Sequence, residues 1–424
     1  MLRDFVTLGL PMFQSKARCG RIAGPLMAFA MLAMAYPALT QTAIDTAQAG
    51  ADFGIQGEYL GGGETGDGPL GVQVIAMGAG SFKAVFLLGG LPGQGWNGRD
   101  RFEAAGTLVG GAASFSGQGY AATIATGSKA MQGKTPQGAD FVVDKVMRKS
   151  PTEGSAPPQG ALVLFAGDGL SAWMDGTAIM DARNLLKPAN VSSSGGALTK
   201  SAFQSFHLHA EFRLPFMPGA SGTARGNSGI YLQSRYELQI LDSFGASLSP
   251  LPDSMTPKRV GGAFWEQTAP SLNMSYPPLS WQTYDIDFTA AVFDAAGTRI
   301  APAVVTVRWN GEIVHDGLRM LNRTLAGQLE GPDPRPLLIQ DHGDPVYYRN
   351  IWIVQGATSI KPKGGKPSRH GSVGQDSRSL LFVSADGRIT PGAPDGESAR
   401  PARRFYLPAS PNARTSHPHS GEKP

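Results

Sequence analysis

The sequence predicts an all-β protein, and three observations support this prediction. Glycine and proline are abundant, with 56 and 32 residues in a chain of 424, which favours turn-rich β structure. Long stretches of helical periodicity are absent from the sequence. Several short segments alternate apolar and polar residues, the pattern of a strand with one buried face. The hydrophobic fraction of 41% is sufficient to build buried cores.

Residues 1–49 are predicted to be a signal segment for export. Basic residues precede an apolar run at 22–36, which is the order found in secretory signals. The run is shorter than the roughly 20 residues of a membrane helix, although an uncleaved anchor remains the alternative. Ala47-Gln48-Ala49 offers a small-x-small cleavage site. We therefore expect a mature chain that begins near Gly50, carries no membrane span and resides in the periplasm or outside the cell.

The single cysteine, Cys19, lies inside this predicted signal segment. The mature protein would therefore contain no cysteine. Neither disulfides nor cysteine metal ligands are expected to stabilise its fold.

Composition divides the rest of the chain into four segments. They are a small β-rich accessory module at 52–130, a linker at 131–157, a main β domain at 158–358 and a disordered basic tail at 359–424. The tail holds 11 Lys and Arg against 5 Asp and Glu, which leaves 26 against 28 elsewhere. Nucleic acid is therefore not an expected partner of the folded part, and polyanion binding by the tail is the alternative to a solvated tail.

The clearest strand pattern runs over residues 206–214, where every second residue is apolar. The polar face between them carries His207, His209, Glu211 and Arg213. Glu211 and Arg213 together offer acceptors and donors to the hydroxyls of a sugar. An exposed ion pair without function is the alternative.

A second alternating segment, residues 236–242, places Glu237 and Gln239 on one face and Leu238 on the other. We expect Phe212 and Leu238 to be buried, with Glu211 and Glu237 facing a groove.

Two further segments carry residues suited to sugar binding and proton transfer. Asn227 lies in a glycine-rich turn, and Tyr231 and Gln233 are predicted to share one face of the following strand. An aromatic ring beside an amide is a common way to hold a sugar, and a core tyrosine is the alternative. Asp341 and His342 end another strand, and histidine transfers protons readily near neutral pH. A turn-capping Asp with a structural His is the alternative there.

Motifs of other enzyme classes are missing from the sequence. It has no Gly-rich phosphate loop, no Gly-x-Ser-x-Gly elbow and no His-Glu-x-x-His site. A nucleotide-dependent enzyme and a serine hydrolase are therefore disfavoured.

Five sequence blocks, taken together, resemble the 3-keto-disaccharide hydrolase (3-keto-glucoside 1,2-lyase/hydratase) family. They are FHLHAEFRLPFMP at 206–218, RGNSGIYLQ at 225–233, RYELQILDSFG at 235–245, WQTYDIDFT at 281–289 and QDHGDPVYYRNIW at 340–352. The resemblance covers residues 158–358. It implies a concanavalin-like jelly-roll sandwich that holds a carbohydrate. It also implies scission of 3-keto-glycosides by elimination across C1–C2 and hydration, which amounts to hydrolysis.

The resemblance and the residue patterns together give a set of expected site residues, of which Glu211, Arg213, Glu237, Gln239, Asp341 and His342 match polar positions of the family's blocks. The expected catalytic residues are His342, Glu211, Glu237 and Arg213. The expected substrate-binding residues are Asn227, Tyr231, Gln233, Gln239, Asp341 and Trp281. We expect His342 or Glu211 to act as the base and Arg213 to stabilise the enolate oxygen. Glu237 is expected to be the acid or a metal ligand. A divalent metal is the one candidate cofactor, because it would stabilise an enolate.

The sequence departs from the family at Val260–Phe264, VGGAF, where members often read CGGIY. If this loop shapes the pocket, substrate preference or activity would differ from that of the family. A non-catalytic carbohydrate-binding module therefore remains the alternative to an enzyme.

Overall fold

The computed structural model of the protein describes residues 42–62, 68–189, 195–249 and 256–356. These ranges are almost entirely β, as predicted, with one short helix and two 3₁₀ turns. The helix, α1, spans Gly50–Ile55, and the 3₁₀ turns span Gly222–Ala224 and Pro257–Arg259. None of these helices has the length and apolar character that crossing a bilayer requires. The predicted basic tail at 359–424 lies outside the described residues.

The first β unit is a closed barrel of antiparallel strands that follow one another in sequence, with β8 pairing back to β1. Its strands are β1 (Gly57–Gly62), β2 (Pro69–Gly78), β3 (Ser81–Leu88), β4 (Arg101–Val109), β5 (Ala112–Gly117), β6 (Tyr120–Ala125), β7 (Ala130–Lys134) and β8 (Asp140–Val146). Buried aromatic rings fill the interior: Phe86 stacks on Tyr120 at 4.0 Å, and Phe141 packs against both. The inside of the barrel is therefore a packed core.

The barrel extends beyond the predicted accessory module. Strands β7 and β8 lie within residues 131–157, which the sequence assigned to a linker, so that assignment is wrong as far as Val146. Met131, Phe141 and Val143 are buried in the barrel core. Strand β7 has only five residues, and the exposed Val142 of β8 interrupts the polar side of its alternation.

The second unit, called here the two-sheet domain, contains a larger sheet and a smaller one. The larger sheet has the order β10-β11-β22-β13-β16-β19-β20, with β9 also paired to β22, and the smaller has the order β12-β21-β14-β15. The strands are β9 (Leu162–Phe165), β10 (Ala178–Met180), β11 (Leu186–Pro188), β12 (Gly196–Phe203), β13 (Phe206–Arg213), β14 (Ser228–Leu232), β15 (Tyr236–Ile240), β16 (Trp281–Thr289), β17 (Val292–Phe293), β18 (Arg299–Ala301), β19 (Val304–Trp309), β20 (Glu312–Arg319), β21 (Arg335–Gln340) and β22 (Tyr347–Gln355). Strands β17 and β18 form a separate pair.

One apolar core lies between the two sheets. Phe212 of the larger sheet is 1% exposed and Leu238 of the smaller sheet is fully buried, as the alternation predicts. Because successive side chains of a strand point to opposite faces, Glu211 and Glu237 point away from this core. They therefore lie on opposite outer faces of the domain.

Polar and apolar contacts join the barrel to the two-sheet domain. Arg148, just after β8, binds Glu58 of β1 at 2.5 Å and stacks over Tyr276 at 4.7 Å. Arg101 of β4 donates a hydrogen bond of 2.7 Å to the carbonyl of Gly245. Such contacts connect the barrel to the two-sheet domain.

Residues 42–49 are part of the folded structure. Ala43 exchanges two backbone hydrogen bonds with Phe216, of 2.9 and 2.8 Å, and Ala43 and Ala49 are fully buried in the barrel core. The sequence placed these residues in the signal segment, with the mature chain starting near Gly50. Residues 42–49 therefore pack as part of the fold, whereas the signal segment and its cleavage site stay predictions.

Candidate active site

A pocket of about 200 Å³ lies on the outer face of the smaller sheet. Strands β14 and β15 form its floor, with Tyr231 directly opposite Glu237 in the ladder. The pocket is lined by both polar and apolar groups. The lining residues are Asn227, Tyr231, Glu237, Gln239, Trp265, Leu325, Ala326, Gln340 and His342.

Gly229 makes room for the central carboxyl of this pocket. A Cβ atom added at Gly229 would lie 2.7 Å from Glu237 Oε1, closer than a carbon and an oxygen can approach without contact strain. Gly226 has a different role, since its φ of +61° belongs to the turn before β14. The sequence suggested that both glycines serve the turn, but only Gly226 does.

Glu237 is the carboxyl group best suited to proton transfer. It is 4% exposed, and burial raises its pKa to about 7, with a smaller opposing effect from the Tyr231 hydroxyl. No ion pair with Glu237 occurs within the described ranges. At neutral pH the group is therefore present in both protonation states, so it can accept or donate a proton.

Two glutamine side chains provide unused acceptors beside Glu237. Gln239 donates 3.3 Å to Asn227 Oδ1, and Gln340 donates 3.3 Å to the Tyr231 hydroxyl. The Oε1 atoms of both glutamines are buried and accept no hydrogen bond from the described residues. Buried polar atoms are normally paired, so these oxygens favour a ligand that brings hydroxyl donors.

His342 lies exposed at the rim of the pocket, on the loop after β21. Asp344 fixes this loop, because its carboxylate accepts a 2.7 Å hydrogen bond from the backbone N–H of Asn227. Asp341 caps the turn by accepting 2.8 Å from the Gly343 N–H and does not line the pocket. Of the predicted Asp-His pair, only the histidine therefore reaches the site.

Trp265, which lines the pocket together with Leu325 and Ala326, directly follows the segment that departs from the family pattern. Residues 262–264 run beside β15, where Gly262 N–H donates 2.9 Å to the Gln239 carbonyl and Gln239 N–H donates 2.9 Å to the Ala263 carbonyl. The N–H of Trp265 then lies 3.3 Å from the Glu237 carbonyl. This segment therefore places an aromatic ring beside the carboxyl, suited to stacking on a sugar. The sequence noted the departure but not Trp265 as a site residue.

Comparison with known proteins identifies this domain. Residues 160–354 match the sequence profile of the 3-keto-alpha-glucoside-1,2-lyase-like domain. The chain belongs to this family. A comparison with curated proteins finds no match.

Several solved structures are similar to the chain. One described as a "putative glycosyl hydrolase" from Parabacteroides distasonis ATCC 8503 is 31% identical, over 47% of this chain and 84% of that one, with a TM-score of 0.40. A second of the same description and organism is 17% identical, over 50% and 98%, with a TM-score of 0.34. A Trypanosoma rangeli sialidase is 10% identical, over 67% and 50%, with a TM-score of 0.23.

Glu211 lies outside the pocket of this family domain, contrary to the prediction. It is fully buried on the outer face of the larger sheet, where it binds Arg349 at 2.7 Å and Asn350 at 2.8 Å. Burial opposes ionisation, but hydrogen bonds led by the one from His209 outweigh it and lower the pKa of Glu211 to about 2. Its Oε1 also accepts 2.5 Å from the N–H of Gly154. Glu211 therefore anchors the segment between barrel and two-sheet domain.

Arg213 and Trp281 also belong to this opposite face. Arg213 donates 3.1 Å to the carbonyl of Ile44, and its guanidinium lies 5.1 Å from the Trp281 ring. Arg349 covers the same ring at 4.0 Å. Arg213 thereby binds the segment at 42–49, and none of these three side chains lines the pocket of Glu237.

Gln233 likewise has a structural position. Strand β14 ends at Leu232, and Gln233 enters the hairpin turn with a φ of +52°. Its side chain donates 2.9 Å to the carbonyl of Phe203 and accepts 2.9 Å from Arg235. The prediction that Gln233 shares a strand face with Tyr231 is therefore wrong.

The described residues contain no group of three His, Cys, Asp or Glu side chains that would hold a metal ion. Glu237 and His342 are the members of those residue types that line the pocket. The expected divalent metal stays a prediction.

Proposed function

We propose that the protein is an exported enzyme that cleaves 3-keto-glycosides, including 3-keto-disaccharides. Glu237 supports this proposal most directly, as a buried carboxyl with a pKa near 7 in a pocket of the family domain. A proton-transfer group is most effective when its pKa lies near the working pH. The jelly-roll architecture implied by the resemblance belongs to the same proposal, supported by two sheets that share one core.

The proposed reaction is an elimination followed by a hydration. The ketone at C3 acidifies the proton on C2, so a base removes that proton and an enolate forms. The enolate then expels the C1 substituent with its bonding electron pair, and the leaving oxygen takes up a proton. Water adds to C1 of the resulting C1–C2 double bond, and C2 regains a proton. The products are the 3-keto sugar and the free alcohol or second sugar.

The pocket offers a residue for each step. Ionised Glu237 accepts the C2 proton and, once protonated, returns a proton during hydration. The Tyr231 hydroxyl and the Gln340 amide are donors beside it, suited to a developing enolate oxygen. His342 at the rim is placed to protonate the leaving oxygen. This assignment replaces Arg213 and Glu211, which lie on the opposite face.

Incubation with an aryl 3-keto-glucoside, with and without chelator or added divalent metal, tests the proposal through release of the aryl alcohol. Wild-type protein should release it, and Glu237→Gln should lower turnover by about 10²–10⁴-fold. The control variant is Glu312→Gln, at an exposed glutamate of β20, which should keep wild-type turnover. Binding of sugars without any cleavage, under every metal condition, would instead favour the carbohydrate-binding module.

A further inference from the structure

A second and larger cavity lies between the barrel and the two-sheet domain. Its volume is about 920 Å³, whereas the pocket of Glu237 has about 200 Å³. Ligand pockets usually measure roughly 300–1,000 Å³, so the smaller pocket alone holds only part of a glycoside. The walls of the cleft come from β2, β3 and β4 of the barrel and from the loops at 220–225 and 242–247.

Residues that line the cleft contact residues that line the pocket. Asp242 of the cleft follows Gln239 of the pocket by three residues, a span of about 10 Å in extended chain. Asn227 of the pocket donates 2.8 Å to the carbonyl of Thr223, which lines the cleft. Arg259 of the cleft lies 5.5 Å from the ring of Trp265. The cleft therefore adjoins the pocket at its Asn227 end.

The lining of the cleft contains both hydrogen-bond donors and hydrogen-bond acceptors. Lys83 and Glu103 of the barrel pair at 3.5 Å, and about a third of each side chain remains exposed. Opposite them, Arg225 is 6% exposed, binds Asp242 at 2.5 Å, and its Nη2 has no hydrogen-bond partner among the described residues. Met77, 46% exposed, adds an apolar surface. Paired charges with spare donors and acceptors suit hydroxyl groups better than an anion, which would repel Glu103 and Asp242.

We propose that this cleft binds the leaving saccharide of a neutral oligosaccharide, so that the barrel forms part of the substrate site. This inference rests on the proposed function for the identity of the reacting ring, which occupies the pocket of Glu237. The sugar units beyond the scissile bond then contact Lys83, Glu103 and Arg225. The barrel thereby selects substrates longer than a glycoside with a small leaving group.

Binding of unoxidised, neutral gluco-oligosaccharides of one to five units tests the cleft without any need for turnover. By calorimetry, wild-type protein should bind the trimer at least tenfold more tightly than the monomer. The double variant Lys83→Ala/Glu103→Gln should lose this gain and keep the affinity for the monomer. The matched control is Lys134→Ala/Asp140→Asn, an exposed barrel pair at 2.8 Å, which should bind like the wild type. Met77→Ser is a second variant that leaves the ion pair intact, and it should reduce trimer affinity.

Several outcomes would overturn the inference. They are an affinity that does not depend on length, an equal loss in the control pair, and tighter binding of acidic than of neutral oligosaccharides. Kinetics separates this inference from the proposed function. Lys83→Ala/Glu103→Gln should raise the KM for a 3-keto-trisaccharide severalfold and leave that for methyl 3-keto-glucoside unchanged. If no 3-keto substrate is cleaved, the proposed function fails, and the calorimetry still decides whether the cleft binds saccharides.

Discussion

Gly229 and Glu237 lie on neighbouring strands so that a methyl group on the glycine would meet the carboxyl at 2.7 Å. Replacing Gly229 with alanine should therefore displace the Glu237 side chain from the pocket. The atoms that must move are the end of a flexible side chain, so the free energy of unfolding should change by only about 1 kcal/mol. Turnover should fall at least tenfold.

The measurement for this variant combines aglycone release with urea unfolding. The control is Gly62→Ala, at the end of a barrel strand, where an added Cβ meets nothing within 4 Å. A Gly229→Ala protein with full turnover would show that the carboxyl position does not matter for the reaction.

The raised pKa of Glu237 predicts a stability that depends on pH. The ordinary value of 4.5 applies in the unfolded chain and about 7 in the fold, so the folded state binds the proton more tightly. Stability should then fall as pH rises from about 4.5 to 7. Glu237→Gln removes this loss, so the variant should match the wild type at pH 4 and exceed it by roughly 1–3 kcal/mol at pH 8.

Urea unfolding of both proteins at pH 4 and pH 8 measures this difference, with Glu312→Gln as the reference variant. An equal stability difference at the two pH values would contradict the raised pKa.

Glu211 should make stability depend on pH in the opposite direction to Glu237. Its folded pKa of about 2 lies below the ordinary 4.5, so it contributes stability above pH 4.5 that is lost as pH falls toward 2. Glu211→Gln removes the carboxylate shared by Arg349 and His209, which then keep only Glu153 and Asp285 respectively, and should cost roughly 3–5 kcal/mol at pH 7. The cost should shrink in acid, as measured by urea unfolding at pH 7 and pH 3. Turnover per folded molecule should stay at the wild-type level, and a loss comparable to that of Glu237→Gln would return Glu211 to the catalytic site.

The alternation of single strands was sufficient to predict which side chains face the core between the sheets, but not that the polar side chains of the other faces are buried as well. Phe212 and Leu238 lie in the core because they belong to the apolar face of an alternating strand. That face is buried whichever sheet the strand joins. The same pattern does not tell which sheet a strand joins. Glu211 and Glu237 therefore looked equivalent in sequence, although one faces the interdomain segment and the other the pocket.

Long-range packing produced the remaining errors. Gly229 reads as a turn residue because the sequence cannot show the carboxyl that approaches it from the next strand. Trp265 follows an irregular segment whose position the sequence does not show. In the structure its backbone N–H bonds to the Glu237 carbonyl, and its side chain lines the pocket. The family resemblance found the block around Glu237 but could not separate its buried carboxyl from the other polar positions of the five blocks.

If the protein is exported as proposed, the contacts of residues 42–49 predict where its mature chain begins. Ala43 is fully buried and bonded twice to Phe216, and Arg213 donates to the carbonyl of Ile44. A chain that starts at Gly50 loses these contacts and should be less stable than one starting at Thr42 by roughly 2–4 kcal/mol. We expect amino-terminal sequencing of exported protein to give a start at or before Thr42.

A pair of point variants tests whether the packing of Ala43, and not merely the length of the chain, stabilises the fold. Ala43→Arg forces a charge into the barrel core and should lower the melting temperature strongly. Thr46→Arg introduces the same side chain at an exposed position of the same segment and should leave it unchanged. Equal melting temperatures for the two variants, or a stable chain starting at Gly50, would return residues 42–49 to the signal segment. Because Phe216 lies in the barrel core and belongs to the two-sheet domain, loss of Ala43 should also weaken the junction that forms the interdomain cleft.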